Sequence, residues 1–219
     1  MPLFAWNNRN GIAKDSHLFE FGNVEGGEQL RVFISGGCKN GKSYYAQRLA
    51  KDVGLAPLYY IATMKPVDSE DDERIARHRE ERDGWGFTTV EQPVRIEDIL
   101  DKCDPGGSFL LDSLTALLAG EMFPPDGSVD ELAAGRIIKG MTRVIDEIEN
   151  IVIVSDYIYS DAIIYDPLTE MYRKALADID RAAAKRCDVV LDAAYAGITV
   201  HKGTLVAEGI RNSEFGIRN

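Results

Sequence analysis

Cysteine is scarce in this chain: Cys38, Cys103 and Cys187 are the only three in 219 residues, and they stand far apart. An odd number of isolated thiols excludes a disulfide framework, and no pair has the spacing of a metal knuckle. Reduced thiols in a cytoplasmic protein are the expectation. Long apolar runs are missing too. None approaches the ~20 residues of a membrane-spanning helix, and the N-terminus lacks the charged-then-apolar order of a secretory leader. Positive charge is in short supply, with 25 Lys and Arg against 36 Asp and Glu, a net charge of −11. That balance argues against a general basic face for a nucleic-acid backbone, while leaving room for a local cationic pocket. There is no internal repeat and no low-complexity segment. What remains, 45% hydrophobic and 28% charged residues, is ordinary for a globular chain long enough to bury a full core.

The most informative stretch that is present is RVFISGGCKNGKS, from Arg31 to Ser43. A short apolar run meets a glycine pair, and Gly36 to Ser43 fits G-x-x-x-x-G-K-[ST] at every fixed position. Gly36 and Gly41 permit backbone paths that a side chain would forbid. The N–H groups of Gly37, Cys38, Lys39 and Asn40 can then turn inward around a polyphosphate, beside the positive end of the next helix. Lys42 would reach the β- and γ-phosphates, and the Ser43 hydroxyl would hold Mg²⁺. A nucleoside triphosphate is the implied ligand. Cys38 is expected to face away from it.

The rest of the chain alternates between two hydrophobic periods. Residues 1–29 carry little periodicity and read as an appendage, residues 30–202 as the core domain, and residues 203–219 as a tail. Leu58 to Thr63, Phe87 to Glu91, Phe109 to Asp112, Ile151 to Val154, Val189 to Leu191 and Ile198 to His201 read as strands. A helix after the loop buries Tyr45, Ala46, Leu49, Ala50 and Val53 and stops at Gly54. Further helices are expected near Ile96–Lys102, over Leu114–Met122, over Val129–Glu149, and from Pro167 with Met171, Ala175, Ile179 and Ala182 inward. Such alternation implies an α/β fold of the doubly wound kind, a mostly parallel sheet with helices on both faces.

Two other features carry chemistry. Asp112 ends an apolar strand, where a carboxylate can help hold Mg²⁺ beside a phosphate loop; the alternative is a helix cap, with Ser113 competing for that job. The segment from Asp68 to Arg82 is a charged helix with almost no apolar face. Arg74, His78 and Arg82 fall at i, i+4 and i+8 and share one side. They form either an anion cradle around an imidazole or a solvated face with Glu70–Arg74 and Glu73–Arg77 pairs. Spacing by itself favours the second.

GGCKNGKS, YIAT, ERIARHREER with its following TVE, and LLDSLTALL occur in one order and spacing. In this the chain, over roughly Arg31 to Lys202, resembles the bifunctional adenosylcobinamide kinase / adenosylcobinamide-phosphate guanylyltransferase family of cobalamin biosynthesis. The resemblance implies a phosphate-loop NTPase fold and two reactions. ATP or GTP phosphorylates the aminopropanol hydroxyl of adenosylcobinamide, a corrinoid. GMP from GTP is then joined to that phosphate by way of a guanylylated histidine. The matching histidine is His78, with Lys42 the other catalytic residue. Arg74 and Arg82 would steady the transferring group. It also implies Mg²⁺ on Ser43 and Asp112, and a homotrimer.

Gly197 and Lys202 fit the family's closing G-x-x-x-x-K stretch, and Arg173 and Asp180 keep its helical pattern. Two places depart from it. Asp156-Tyr157-Ile158-Tyr159 stands where an N-E-V-G-like run is usual, and Trp85 lies one place nearer to His78. Those departures motivate an alternative, a kinase without the transferase step or with another small hydroxyl substrate. A nucleotide-binding regulator without chemistry is a third reading, and the presence of Lys42, Ser43, Asp112 and His78 together speaks against it.

Overall fold

Strands whose residues are buried on both sides form the centre of the structure. The computed structural model describes residues 29–38, 40–52, 56–66, 83–159, 161–195 and 197–204. The segment from Asp68 to Arg82, with Arg74, His78 and Arg82, lies outside these residues, as do Lys39, Val53, Gly54, residues 1–28 and residues 205–219. The described residues form seven strands: β1 (Leu30–Gly36), β2 (Leu58–Ala62), β3 (Thr88–Glu91), β4 (Ser108–Asp112), β5 (Asn150–Val154), β6 (Val189–Ala194) and β7 (Gly197–Lys202). They make one sheet in the order β3-β2-β4-β5-β1-β6-β7. All pairings are parallel except that of β7, which runs antiparallel to β6 at the edge.

Side chains alternate across this sheet with period two. Phe33, Ile61, Phe109, Leu111, Ile151 and Ile153 point into a large core built with a 3-10 helix (Ile96–Asp101) and the helices α2 (Leu114–Met122), α3 (Ala133–Glu147) and α4 (Pro167–Arg186). Val32, Ile34, Tyr60, Leu110, Val152 and Val154 point the other way, onto Ala46, Leu49 and Ala50 of α1 (Lys42–Asp52). Helices therefore cover both faces, and the doubly wound α/β expectation holds. No helix among the described residues is long and apolar enough to cross a membrane.

Three helical expectations are corrected in detail. The one near Ile96 is a 3-10 helix, entered through Arg95 in a left-handed conformation. The helix expected from Val129 begins at Ala133. Asp130 explains the delay: its carboxylate accepts from the Leu132 N–H at 2.9 Å and pairs with Arg136 at 2.8 Å, which favours a local turn over a helical start. In α4 the fully buried positions are Arg173, Leu176, Ile179, Asp180 and Ala183, whereas Met171, Ala175 and Ala182 are only partly buried. The inner face is rotated, and two charged residues lie on it.

Candidate nucleotide site

The loop from Gly36 to Gly41 leaves the C-terminal end of β1, in the middle of the sheet. Beyond such strand ends is where open parallel sheets receive ligands. Its geometry is fixed by few contacts. The Asn40 side chain donates to the carbonyl of Ala193 on β6 and accepts from the Lys42 N–H at 3.1 Å. A side chain at Gly36 would overlap that same Ala193 carbonyl and the Asn40 amide, so the first glycine is needed for close approach. Gly41 has a different reason, a φ of 86° that only glycine adopts easily. Gly37 and Cys38 are exposed at the crest of the loop. Asn40 braces the loop, a role its place in the motif does not reveal.

Lys42 is the first residue of α1 and is 6% exposed. Its Nζ donates to the Gly37 carbonyl at 3.0 Å and to Asp156 Oδ1 at 2.5 Å. Ser43 follows, half-buried. The ammonium is thus folded under the loop, at the place where β- and γ-phosphates would lie.

Asp112 ends β4, two places from β1 in the sheet, with β5 between them. It follows the alternation of Leu110, so its carboxylate emerges on the side of α1. Oδ2 accepts from the Tyr60 hydroxyl at 2.8 Å. Thr63 fixes the following peptide: its Oγ1 accepts from the Ser113 N–H and donates to the Ser113 carbonyl, each at 2.7 Å. Ser113, not Asp112, caps α2, its hydroxyl accepting from the Ala116 N–H. The carboxylate is therefore free of capping duty. A half-exposed carboxylate and a serine hydroxyl are the hard oxygen donors that suit Mg²⁺.

Three participants have no role assigned from the sequence, although Asp156 is marked there as a departure from the family pattern. Tyr60 and Thr63 orient Asp112 only because β2 pairs with β4 so that Ala62 lies beside Asp112. Asp156 meets Lys42 because backbone pairing continues past β5, with Ser155 N–H on the Ile34 carbonyl at 3.0 Å and Tyr157 N–H on the Gly36 carbonyl at 2.9 Å. Behind Asp156 lies a buried polar group of Ser35, Ser155, Tyr159 and Asp180. Tyr159 OH donates to Asp180 Oδ2 at 3.1 Å, while Asp180 Oδ1 has no partner within hydrogen-bond geometry among the described residues. Burial, helped by the charge of Asp156, raises the Asp180 carboxyl to about 7, against the smaller opposing effect of the neighbouring hydroxyls. Burial and the Asp180 charge likewise raise the Tyr159 hydroxyl.

Past the charged segment, Trp85 stacks edge-on to Tyr44 at 5.7 Å, with the Lys51 ammonium 5.3 Å from its ring centre. Phe87 meets Tyr60 at 6.1 Å. The chain therefore re-enters the described structure against the residue next to Ser43. Lys202 has a structural role: its ammonium donates to the carbonyls of Ala184, Lys185 and Cys187 and so closes the C-terminal end of α4.

A glycine loop closing on Lys42-Ser43 between a central parallel strand and a helix, at the same edge of the sheet as an acidic strand end, defines a nucleotide-binding protein of the P-loop NTPase class. Within that class the sequence is more particular. Residues 32–201 match the family described as cobinamide kinase / cobinamide phosphate guanyltransferase, and the chain belongs to that family.

The chain is 38% identical over 98 residues to the bifunctional adenosylcobalamin biosynthesis protein CobP of Pseudomonas aeruginosa, covering 44% of this chain and 56% of that protein. It is 29% identical over 103 residues to the corresponding CobU protein of Escherichia coli K12, covering 46% and 55%. The chain thus spans little more than half the length of the curated relatives it matches. Solved structures similar to it include the flagellar accessory protein FlaH from Methanocaldococcus jannaschii, with a TM-score of 0.45, 12% identity and coverage of 82% and 81%. The RadB recombinase is another, at 0.46, 17%, 84% and 86%. At such scores they add nothing to the fold read from the sheet itself.

Proposed function

We propose that this chain phosphorylates the aminopropanol hydroxyl of adenosylcobinamide with ATP or GTP and then transfers GMP from GTP onto the new phosphate. The reading is carried by one coincidence: the Lys42 loop and the Asp112 strand end lie at the same edge of the parallel sheet, inside a stretch that matches the cobinamide kinase / guanyltransferase family. Gly36 to Ser43 receives the triphosphate, and Lys42 exchanges its present partners for phosphate oxygens. Ser43 and Asp112 are the residues that hold Mg²⁺, which supplies charge neutralisation when bound. His78 takes GMP as a phosphoramidate, so that one difficult displacement is divided into two. Arg74 and Arg82 stabilise the transferring phosphoryl charge.

On this reading the working unit comprises residues 30–202, acts in the cytoplasm and assembles as a homotrimer. GTP labelled at the α-phosphorus tests the covalent step. Acid-labile, base-stable label should appear on the protein and vanish in His78→Ala. No label on the unmutated chain, with GTP and Mg²⁺ present, removes the transferase half of the reading.

A further inference from the structure

The contact between Lys42 and Asp156 raises a question that the phosphate loop alone does not answer. A loop lysine needs no carboxylate to bind a triphosphate. A carboxylate at that point repels the phosphates once the ammonium has turned to them. Yet Asp156 is held firmly in place. Its N–H donates to Thr115 Oγ1 at 2.9 Å, and the residues on either side are hydrogen-bonded to the β1 backbone. Its side chain is 20% exposed, and that of Lys42 is 7% exposed.

Position gives the carboxylate a use. β5 lies between the strand that carries the loop and the strand that ends in Asp112. Asp156, just past the end of β5, therefore sits between the Lys42 and Asp112 ends of the site. Asp112 already has one oxygen on the Tyr60 hydroxyl and the role of metal ligand, while Asp156 is engaged by the very cation that nucleotide binding removes. Among the described residues, the groups facing it are Lys42 from α1, Thr115 from α2, Cys38 from the loop (Sγ at 3.9 Å), and Tyr172 and Asp180 from α4. Apart from Lys42, none of these described groups is a cation.

We propose that Asp156 is the general base of the phosphoryl transfer: Lys42 holds it at rest and releases it as the triphosphate enters. This rests on the kinase reading given above. In the step, the substrate hydroxyl oxygen forms a bond to the γ-phosphorus. The bond from the γ-phosphorus to the β,γ-bridging oxygen breaks, and its electron pair leaves on the nucleoside diphosphate. The hydroxyl proton passes to the Asp156 carboxylate and from there to solvent.

Asp156→Asn and Asp156→Ala separate this role from a merely structural one. Phosphoryl transfer from ATP to a cobinamide acceptor is measured beside titration with a fluorescent ATP analogue to confirm folding and binding. Asp156→Asn should lower kcat by about 100-fold, as loss of a general base does, while the analogue binds several-fold more tightly because the competing carboxylate is gone. Formate should restore part of the rate in Asp156→Ala. A kcat within threefold of the unmutated chain overturns the proposal, and so does a fall in rate that comes with weakened nucleotide binding and no formate rescue. No phosphoryl transfer in the unmutated chain overturns the kinase reading and this proposal together.

Discussion

Asp180 offers a quantitative check on the packing of α4. It is 2% exposed, faces Tyr159 and Ser155, and feels the charge of Asp156. Its carboxyl is raised from the model-peptide value of 3.8 to about 7, so the native state holds the proton more tightly than the unfolded chain does. The associated stability is fully present below the unfolded value of 3.8 and is lost as pH rises towards about 7, above which it levels off. At ~1.4 kcal/mol per pH unit the whole effect is about 4 kcal/mol, of which roughly 2–3 kcal/mol falls between pH 5 and pH 8. Asp180→Asn preserves the shape and cannot ionise. Urea unfolding of both proteins, followed by circular dichroism at intervals from pH 5 to pH 8, isolates this group, because the surface carboxylates titrate alike in each. The variant should gain on the unmutated chain by roughly 2–3 kcal/mol over that range, a relative midpoint shift of about 1 M urea. A gap that stays constant with pH would refute the assignment of a neutral, buried acid at this position.

The other predictions address the site and its supports. Gly36→Ala places a methyl group against the Ala193 carbonyl; a loss of nucleotide affinity of tenfold or more is expected by calorimetric titration, with about 1–3 kcal/mol of overpacking cost. Tyr60→Phe removes the hydroxyl from Asp112 Oδ2, so the Mg²⁺ concentration for half-maximal turnover should change several-fold while the core stays folded. Lys202→Met strips the cation from three carbonyls at the end of α4 and should lower the unfolding free energy by about 1–2 kcal/mol in urea without altering nucleotide affinity. Ile153→Ala empties a fully buried central position; a loss of about 2–5 kcal/mol in the same assay is the expected cost of the cavity.

Legibility of the sequence followed the range of the interactions involved. Ile151 to Val154 reads as a strand because burial on both faces demands an unbroken apolar run, and all of it is buried. The phosphate loop is readable because its chemistry is local, each glycine and the Lys42-Ser43 pair serving a ligand that the loop itself surrounds. Asp156, Tyr60 and Thr63 are different, since their roles depend on which strands are neighbours, and that is decided by pairings some fifty to more than a hundred residues away in the chain. Hydropathy likewise misplaces the inner face of α4. Arg173 is buried because Glu170, Asp161 and the Ile158 carbonyl satisfy its guanidinium, and Asp180 is buried beside Tyr159. No periodic count of apolar residues includes an arginine and an aspartic acid.

The interposed fifth strand has an evolutionary consequence. Adjacent strands lie about 4.8 Å apart, so Asp156, two residues past the end of β5, stands between the nucleotide loop and the Asp112 turn while belonging to neither. With Asp156 as the base proposed above, a single codon there can alter what happens at the far end of the triphosphate while the Gly36–Ser43 loop that captures it keeps its own sequence, at the cost of a several-fold change in affinity. Lineages built on this sheet can in that way exchange one acceptor chemistry for another through viable intermediates, because capture of the nucleotide survives each change.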